Sequence, residues 1–153
     1  MPNGTILGFD FGMKRIGVAV GQLFTQMASP LRIIPAKQGT PDWNIADQII
    51  NEWQPAALVV GIPLNMDGST QPITGHAKHF AKLLQQRYNL PVYTADERLT
   101  TREARDQIFS VGGYRALQKK PVDSLAAQII LQAWLSSSAP NNLKISSQDQ
   151  NIE

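Results

Sequence analysis

Two apolar runs joined by a short turn open the chain and set limits on the fold that it can adopt. Residues 5–10 and 15–20 are predicted to form the two strands of an antiparallel hairpin. The first run carries one carboxylate, Asp10, into an otherwise apolar stretch. Burying an unpaired carboxylate costs free energy, so Asp10 needs a partner. That partner is a metal ion, a cation or a phosphate-bearing ligand.

The patterns that follow alternate between strand and helix. A third strand is predicted around Ser29–Pro35, and the first helix starts near Pro41 or Asp42 and stops at Pro55. The continuous apolar run Ala57–Gly61 is typical of a strand buried on both faces in a parallel sheet. The remaining predicted elements are a helix over 73–88, a strand over 91–95, a helix over 101–111 and a helix that begins near Pro121.

This order of elements predicts an α/β fold, with a mixed sheet and helices packed on its faces. A length of 153 residues suits one domain with a sizeable core, which we place over residues 1–137. From residue 138 onward the chain is polar, and residues 138–153 are predicted to be a disordered tail.

Composition excludes several classes of protein. The chain contains no cysteine, which rules out disulfides, thiolate metal sites and a cysteine nucleophile. No stretch reaches the roughly 18 apolar residues of a membrane span, and the N-terminus lacks the pattern of a signal peptide. We therefore expect a cytoplasmic protein without a membrane partner, either a monomer or a weak homodimer.

Three carboxylates stand where an α/β fold can bring them together. Asp10 ends the first strand, Glu97 follows the last strand, and Asp123 lies in the first turn of the final helix. In open α/β sheets the functional crevice lies at the carboxyl ends of the strands. Oxygen ligands without cysteine or a nearby histidine favour Mg²⁺ or Mn²⁺. Such ions activate the attacking water in phosphodiester hydrolysis, which makes these acids candidate catalytic and metal-binding residues.

Each acid also has a structural interpretation. Asp10 could cap the hairpin turn or pair with Lys14 or Arg15, and Glu97 could be a solvated acid at a strand end. Asp123 could interact favourably with the helix macrodipole. Asp96 points away from Glu97, because successive residues of an extended chain point to opposite sides.

Basic residues accumulate in the second half of the chain. Six of them against two acids lie between residues 98 and 120, although the whole chain carries a net charge of only +2. They could contact the phosphates of a nucleic acid or form a solvated helix face. The candidate nucleic-acid-binding residues are Lys14 and Arg15 in the hairpin turn, with Arg98, Arg102, Lys119 and Lys120 farther along.

Four motifs resemble those of one known family. Gly8–Ala19, Val60–Gly68, Asp96–Thr101 and Val122–Ala127 are similar, in family order, to the motifs of the YqgF family. These are Holliday-junction-resolvase-like proteins described as pre-16S ribosomal RNA nucleases. The chain departs from many members at Gly21-Gln22, where they carry Ser-Asp, and at Pro121, where a basic or small residue is usual.

The resemblance implies an RNase H-like fold with a central five-stranded mixed sheet. It also implies that Asp10, Glu97 and Asp123 are the family's acidic site residues, with a divalent metal. The implied substrate is structured RNA or branched DNA, and the implied role is maturation of the 5′ end of 16S ribosomal RNA. Two other functions stay open: an actin-like ATPase, whose phosphate-binding hairpin resembles the first motif, and a non-catalytic nucleic-acid-binding factor in ribosome assembly or transcription.

Overall fold

The computed structural model describes residues 4–97, 122–137 and 143–145, and for residues 122–124 and 143–145 it describes the backbone alone. The strands are β1 (Thr5–Asp10), β2 (Arg15–Gln22), β3 (Met27–Lys37), β4 (Thr40–Pro41), β5 (Ala57–Ile62), β6 (Val92–Asp96) and β7 (Leu143–Ile145). The helices are α1 (Trp43–Trp53), α2 (Pro72–Tyr88) and α3 (Val122–Ser136).

The described strands form one mixed sheet in the order β4-β3-β2-β1-β5-β6-β7. β1, β2 and β3 make an antiparallel meander, whereas β5 and β6 run parallel to β1. The α/β class and the central strands β3-β2-β1-β5-β6 confirm the prediction from the sequence. The structure adds two short edge strands, β4 and β7, which pair through only a few residues.

Strand β7 corrects one expectation. Leu143–Ile145 lies inside the segment 138–153 that the sequence analysis predicted to be disordered, yet it pairs antiparallel with β6. The prediction of disorder is therefore wrong for these three residues. The alternation of polar and apolar residues is too short there to signal a strand. The rest of that segment, and the helix predicted over 101–111, lie outside the described residues.

The sheet is covered on both faces, as its apolar strands require. Helices α1 and α2 cover one face, where Phe9, Val60 and Phe80 belong to the larger core cluster. Helix α3 covers the other face, where Ile6, Val59 and Leu131 belong to a second cluster. Neither α1, α2 nor α3 combines the length and apolar character needed to cross a bilayer.

Local sequence signals explain where α1 and α2 begin and end. The carboxylate of Asp42 caps α1 by accepting the backbone N–H of Asn44, and Gln54 ends this helix in a left-handed conformation. Pro72 opens α2 behind a capping box formed by Gln71 and Thr74, and Asn89 ends it. The start predicted for α1 near Asp42 is confirmed.

Helix α3 also closes an open edge of the sheet. Buried Gln132 accepts the backbone N–H of Ala28 at 3.0 Å and donates to the carbonyl of Gln26 at 2.8 Å. Gln128 donates to the carbonyl of Ala28 at 3.0 Å. The free backbone groups of an unpaired strand edge can pair with a strand of another chain. Here the two glutamine side chains form hydrogen bonds with the backbone of Gln26 and Ala28 instead. The same contacts fix the position of α3 on the sheet.

Candidate functional site

The candidate site begins with Asp10 at the carboxyl end of β1. Asp10 is the last residue of the strand and lies opposite Gly17 of β2. Its neighbour Phe9 lies opposite Val60 of the parallel strand β5. The carboxylate is partly exposed, at the edge where the carboxyl ends of β1, β5 and β6 meet. This is the edge at which α/β sheets bind ligands.

Strand alternation decides on which face of the sheet each acid lies. In β1, Phe9 packs in the cluster beneath α1 and α2, so Asp10 belongs to the α3 face. In β6, Tyr93 and Ala95 pack against the cluster beneath α3, which assigns Glu97 to the same face. Asp96 falls on the opposite face. Asp10 and Glu97 therefore lie on the same face of the sheet, whereas Asp96 lies on the opposite face, although its charge still acts on Glu97.

The pKa of Glu97 shows that the charge of Asp10 is close to it. The pKa of Glu97 is raised from its usual 4.5 to about 7, first by burial of the carboxyl and then by the negative charges of Asp10 and Asp96. Burial and like charges both disfavour the ionised form of an acid. A carboxyl that is half protonated near neutral pH, next to a second carboxylate, is characteristic of functional sites.

Gly61 creates the space that Glu97 occupies. A Cβ at this position would lie 2.9 Å from Oε2 of Glu97 and 2.7 Å from Cδ1 of Ile130. Any side chain on Gly61 would therefore force the ends of the Glu97 and Ile130 side chains to shift. The sequence analysis assigned no role to Gly61 in the site. A glycine at the end of an otherwise large-residue strand is the available signal, because it often marks close approach of another group.

Helix α3 runs antiparallel to β1. A Cβ on Gly8, in the middle of β1, would meet Leu131. Gly21 lies beside the start of β1, and a Cβ on it would meet both Leu131 and Leu135, which is one turn later in the helix. Moving toward the N-terminus of the helix therefore moves toward the carboxyl edge of the sheet. Ile130, against Gly61, is about 10 Å of helix away from Asp123. The first turn of α3, with Asp123, is directed toward the edge that carries Asp10 and Glu97.

The side chain of Asp123 lies outside the described residues. Of the three predicted acidic side chains, the structure therefore describes two, Asp10 and Glu97. Among the described side chains, no three histidine, aspartate or glutamate residues form a group suited to a metal ion. The two carboxylates that are described do suit a hard divalent cation. They are oxygen donors, and a cation between them would offset the repulsion that raises the pKa of Glu97.

The turn after β1 presents two basic residues beside Asp10. Lys14 and Arg15 are both exposed. The backbone holds this turn in place, because the N–H of Ala36 donates to the carbonyl of Lys14 and the N–H of Gly39 donates to the carbonyl of Met13, both at 2.9 Å. Gly12 is required here, since a Cβ on it would collide with the carbonyl oxygen of Arg15. The backbone of this turn is therefore held by hydrogen bonds, and its two basic residues follow Asp10 closely in the sequence.

The loop after β5 is braced internally. Oδ1 of Asp67 accepts the backbone N–H of Ser69 at 2.9 Å and its hydroxyl at 2.6 Å. Asn65 donates to the hydroxyl of Ser69 at 2.9 Å. Asp67 thus stabilises the turn of this loop. The other predicted nucleic-acid-binding residues, Arg98, Arg102, Lys119 and Lys120, lie outside the described residues.

Comparison of the chain with known protein families shows the family to which it belongs. The sequence profile of the RuvX family, described as Holliday junction resolvase, matches residues 4–137. The chain belongs to the RuvX family. This confirms the resemblance to the YqgF family, which is the same family under another name. The match spans β1 to the end of α3, so it includes Asp10, Glu97 and Asp123.

Curated RuvX relatives are similar over nearly their whole length. A Legionella pneumophila protein (strain Paris) is 54% identical over 138 residues, which cover 90% of this chain and 99% of the relative. An Escherichia coli protein (strain K12 / DH10B) is 54% identical over 132 residues, covering 86% of this chain and 96% of the relative. Both carry the name "Putative pre-16S rRNA nuclease".

Solved structures place this RuvX chain in the RNase H-like fold. Thermus thermophilus RuvC, solved with a Holliday junction substrate, superposes with a TM-score of 0.58 at 13% identity and covers 92% of this chain and 99% of that one. The yeast mitochondrial Holliday junction resolvase superposes with a TM-score of 0.51 at 15% identity, covering 88% and 78%. At these identities the likeness establishes the fold, which agrees with the fold implied by the sequence motifs.

Proposed function

We propose that the chain is a metal-dependent nuclease that processes the 5′ end of pre-16S ribosomal RNA. The observation that carries this proposal is the pairing of Asp10 and Glu97 on one face of the sheet, at the edge where the carboxyl ends of three strands meet. Membership in the RuvX family and the names of the curated relatives support a nuclease and suggest the RNA substrate.

Asp10, Glu97 and Asp123 would hold the metal, with Mg²⁺ or Mn²⁺ as the ions that suit carboxylate ligands. When bound, such an ion lowers the pKa of a coordinated water and stabilises the charge of the phosphodiester transition state. The protein's own contribution is placement. Gly61 leaves room for Glu97, and the close packing of α3 brings its first turn toward the acid pair.

The basic residues would position the substrate. Lys14 and Arg15, held by the braced turn beside Asp10, are suited to the phosphates next to the cleaved bond. We assign Arg98, Arg102, Lys119 and Lys120 to phosphate contacts farther along the substrate, as their sequence pattern predicts. Phosphate contacts fix the register of a nucleic acid but carry no sequence information. A monomer or weak homodimer in the cytoplasm is part of this proposal.

The test is a cleavage assay with Mg²⁺ or Mn²⁺ on precursor 16S ribosomal RNA and on a four-way DNA junction. We expect the wild-type protein to cleave the precursor RNA and Asp10→Asn to lower the rate about 100-fold or more, because a metal ligand contributes several kcal/mol to the barrier. Binding of the RNA by Asp10→Asn should stay close to wild type, and filter binding measures it.

Two outcomes would replace the proposal. Cleavage of the junction but not of the RNA would favour a branched-DNA resolvase, the activity named in the family's description. Binding of either substrate without cleavage would favour a non-catalytic nucleic-acid-binding factor. Equal cleavage by Asp10→Asn and wild type would refute the acid site itself.

A further inference from the structure

Helix α2 has an unusual distribution of charge. Between Asp67 and Asp96 the sequence contains no acidic residue, whereas α2 carries three permanent cations and two histidines. One of the cations, Arg87, is committed to the fold. Its Nε and Nη2 donate to the carboxylate of Asp47 on α1 at 2.9 and 2.8 Å. The two other cations are Lys78, which is exposed, and Lys82, which is half-buried.

Those residues share one face of the helix. The buried residues Ala77, Phe80, Ala81 and Leu84 pack toward the sheet. The opposite face consists of residues spaced by three or four positions, so they form one line along the helix. We call this line the α2 stripe, which consists of Gly75, Lys78, His79, Lys82 and Gln86.

The stripe starts at the edge of the sheet that carries the candidate site. The hydroxyl of Thr74, in the first turn of α2, donates to the carbonyl of Pro63, the residue that directly follows β5. From there α2 runs back along the sheet, and the stripe extends over about 16 Å, which matches about five base pairs of a duplex. The sheet separates the stripe from Asp10 and Glu97, which lie on the α3 face.

Gly75 gives an independent indication that something approaches this face. It lies in the helix with nothing within 4 Å of the position that a Cβ would occupy, so packing within the described residues does not require a glycine. Glycine is an unfavourable choice inside a helix. A bare backbone at this point lets a bulky partner come close to α2, directly beside Lys78 and His79.

We propose that the α2 stripe binds the phosphate backbone of a second helical arm of the substrate, while the cleaved strand lies at Asp10 and Glu97. This inference rests on the proposed function. Lys78 and Lys82 supply charge, and His79 and Gln86 supply hydrogen-bond donors, which is the set that contacts phosphates. Because the stripe and the acids lie on opposite faces of the sheet and share one edge, the substrate that uses both bends or branches at that edge.

Binding, measured separately from cleavage, tests this inference. The variant is Lys78→Gln with Lys82→Gln, which removes two charges and keeps good helix-forming residues. The probe is a four-way junction made of RNA, compared with a linear RNA duplex whose sequence matches two of its arms. We expect junction affinity to fall about tenfold and the slope of log affinity against log salt to shrink by about 2, with a much smaller effect on the duplex.

Two control variants match these changes. His76→Gln alters an exposed position of α2 outside the stripe, and Arg32→Gln removes an exposed charge from β3. Both should leave the salt slope on the junction close to wild type. Gly75→Ala should raise the melting temperature of the protein while weakening junction binding, a combination that a merely solvated helix face would not produce.

Three results would overturn the inference: unchanged junction affinity in the double variant, an equal loss on junction and duplex, or the same loss in Arg32→Gln. These results are independent of cleavage. A protein that binds the junction through the stripe but cuts no substrate would refute the proposed nuclease and keep the stripe. A nuclease that binds the junction equally well without the charges of Lys78 and Lys82 would refute the stripe and keep the proposed nuclease.

Discussion

At the scale of single residues, Glu97 is the side chain whose environment is most unusual. Its carboxyl is half-buried against Gly61 and lies near the charges of Asp10 and Asp96, and burial and these charges together raise its pKa to about 7. The sequence could place Glu97 after a strand and Asp10 at the end of another. It could not show the packing against Gly61, because that contact joins residues from two strands and depends on how closely α3 approaches.

This raised pKa predicts a stability that falls with pH when no metal is present. Between pH 4.5 and about 7 the folded protein keeps a proton on Glu97 that the unfolded chain has lost, so the free energy of unfolding decreases as pH rises. Glu97→Gln removes this penalty. With a chelator present, the variant should be more stable than wild type by about 2 kcal/mol near pH 8, a value reduced because the carboxyl is partly exposed to solvent.

Urea unfolding at about pH 8 and about pH 4 measures this difference, which should vanish at the lower pH because both states then hold the proton. Glu52→Gln on the exposed surface of α1 is the control and should show no such dependence on pH. Equal stabilities of Glu97→Gln and wild type at both pH values would mean that Glu97 is not under electrostatic strain in the fold.

At the scale of elements, the contact of α3 with the sheet decides the geometry of the site. Glycines in three strands, Gly8, Gly21 and Gly61, let Leu131, Leu135 and Ile130 approach closely. The sequence predicted a helix that begins near Pro121, which is α3, and a continuous apolar run predicted β5. The sequence did not reveal β4 or β7, because strands of two or three residues carry too little pattern, and their pairing comes from neighbours distant in the chain.

Gly61→Ala tests this contact. The added methyl would lie 2.7 Å from Ile130 and 2.9 Å from Glu97, so α3 or the carboxylate must move. We expect a loss of about 1–3 kcal/mol in the free energy of unfolding, and weaker Mn²⁺ binding measured by calorimetry. Gly75→Ala is the matched control, because its methyl meets nothing within 4 Å, and it should stabilise the protein by about 0.5–1 kcal/mol.

Weakened metal binding without lost stability in Gly61→Ala would show that Glu97 moves while α3 stays. Unchanged stability together with unchanged metal binding would contradict the close packing of α3 and Glu97 on Gly61.

At the scale of the whole molecule, the sequence predicted the class and the order of the central elements, and the candidate site at the carboxyl edge of the sheet stays a prediction. Strand alternation also predicted that Asp96 and Glu97 lie on opposite faces of the sheet. The mixed sheet with β1 between β2 and β5 follows from a hairpin that precedes parallel strands. The role of α2 on the other face could not be read from its sequence alone. The position of its charges relative to the candidate site follows from the hydrogen bond of Thr74, which places the first turn of α2 at the carboxyl edge of the sheet.

The proposed nuclease requires Asp10 and Glu97 to act together as one cation site. The most direct measurement is the titration of the Glu97 carboxyl by NMR in isotope-labelled protein, first without metal, then with Mg²⁺, and then in Asp10→Asn. For a shared cation site we expect the pKa of Glu97 to be about 7 without metal, and lower both when Mg²⁺ is added and when the charge of Asp10 is removed. A Glu97 carboxyl that titrates near its usual 4.5 and responds to neither change would contradict it.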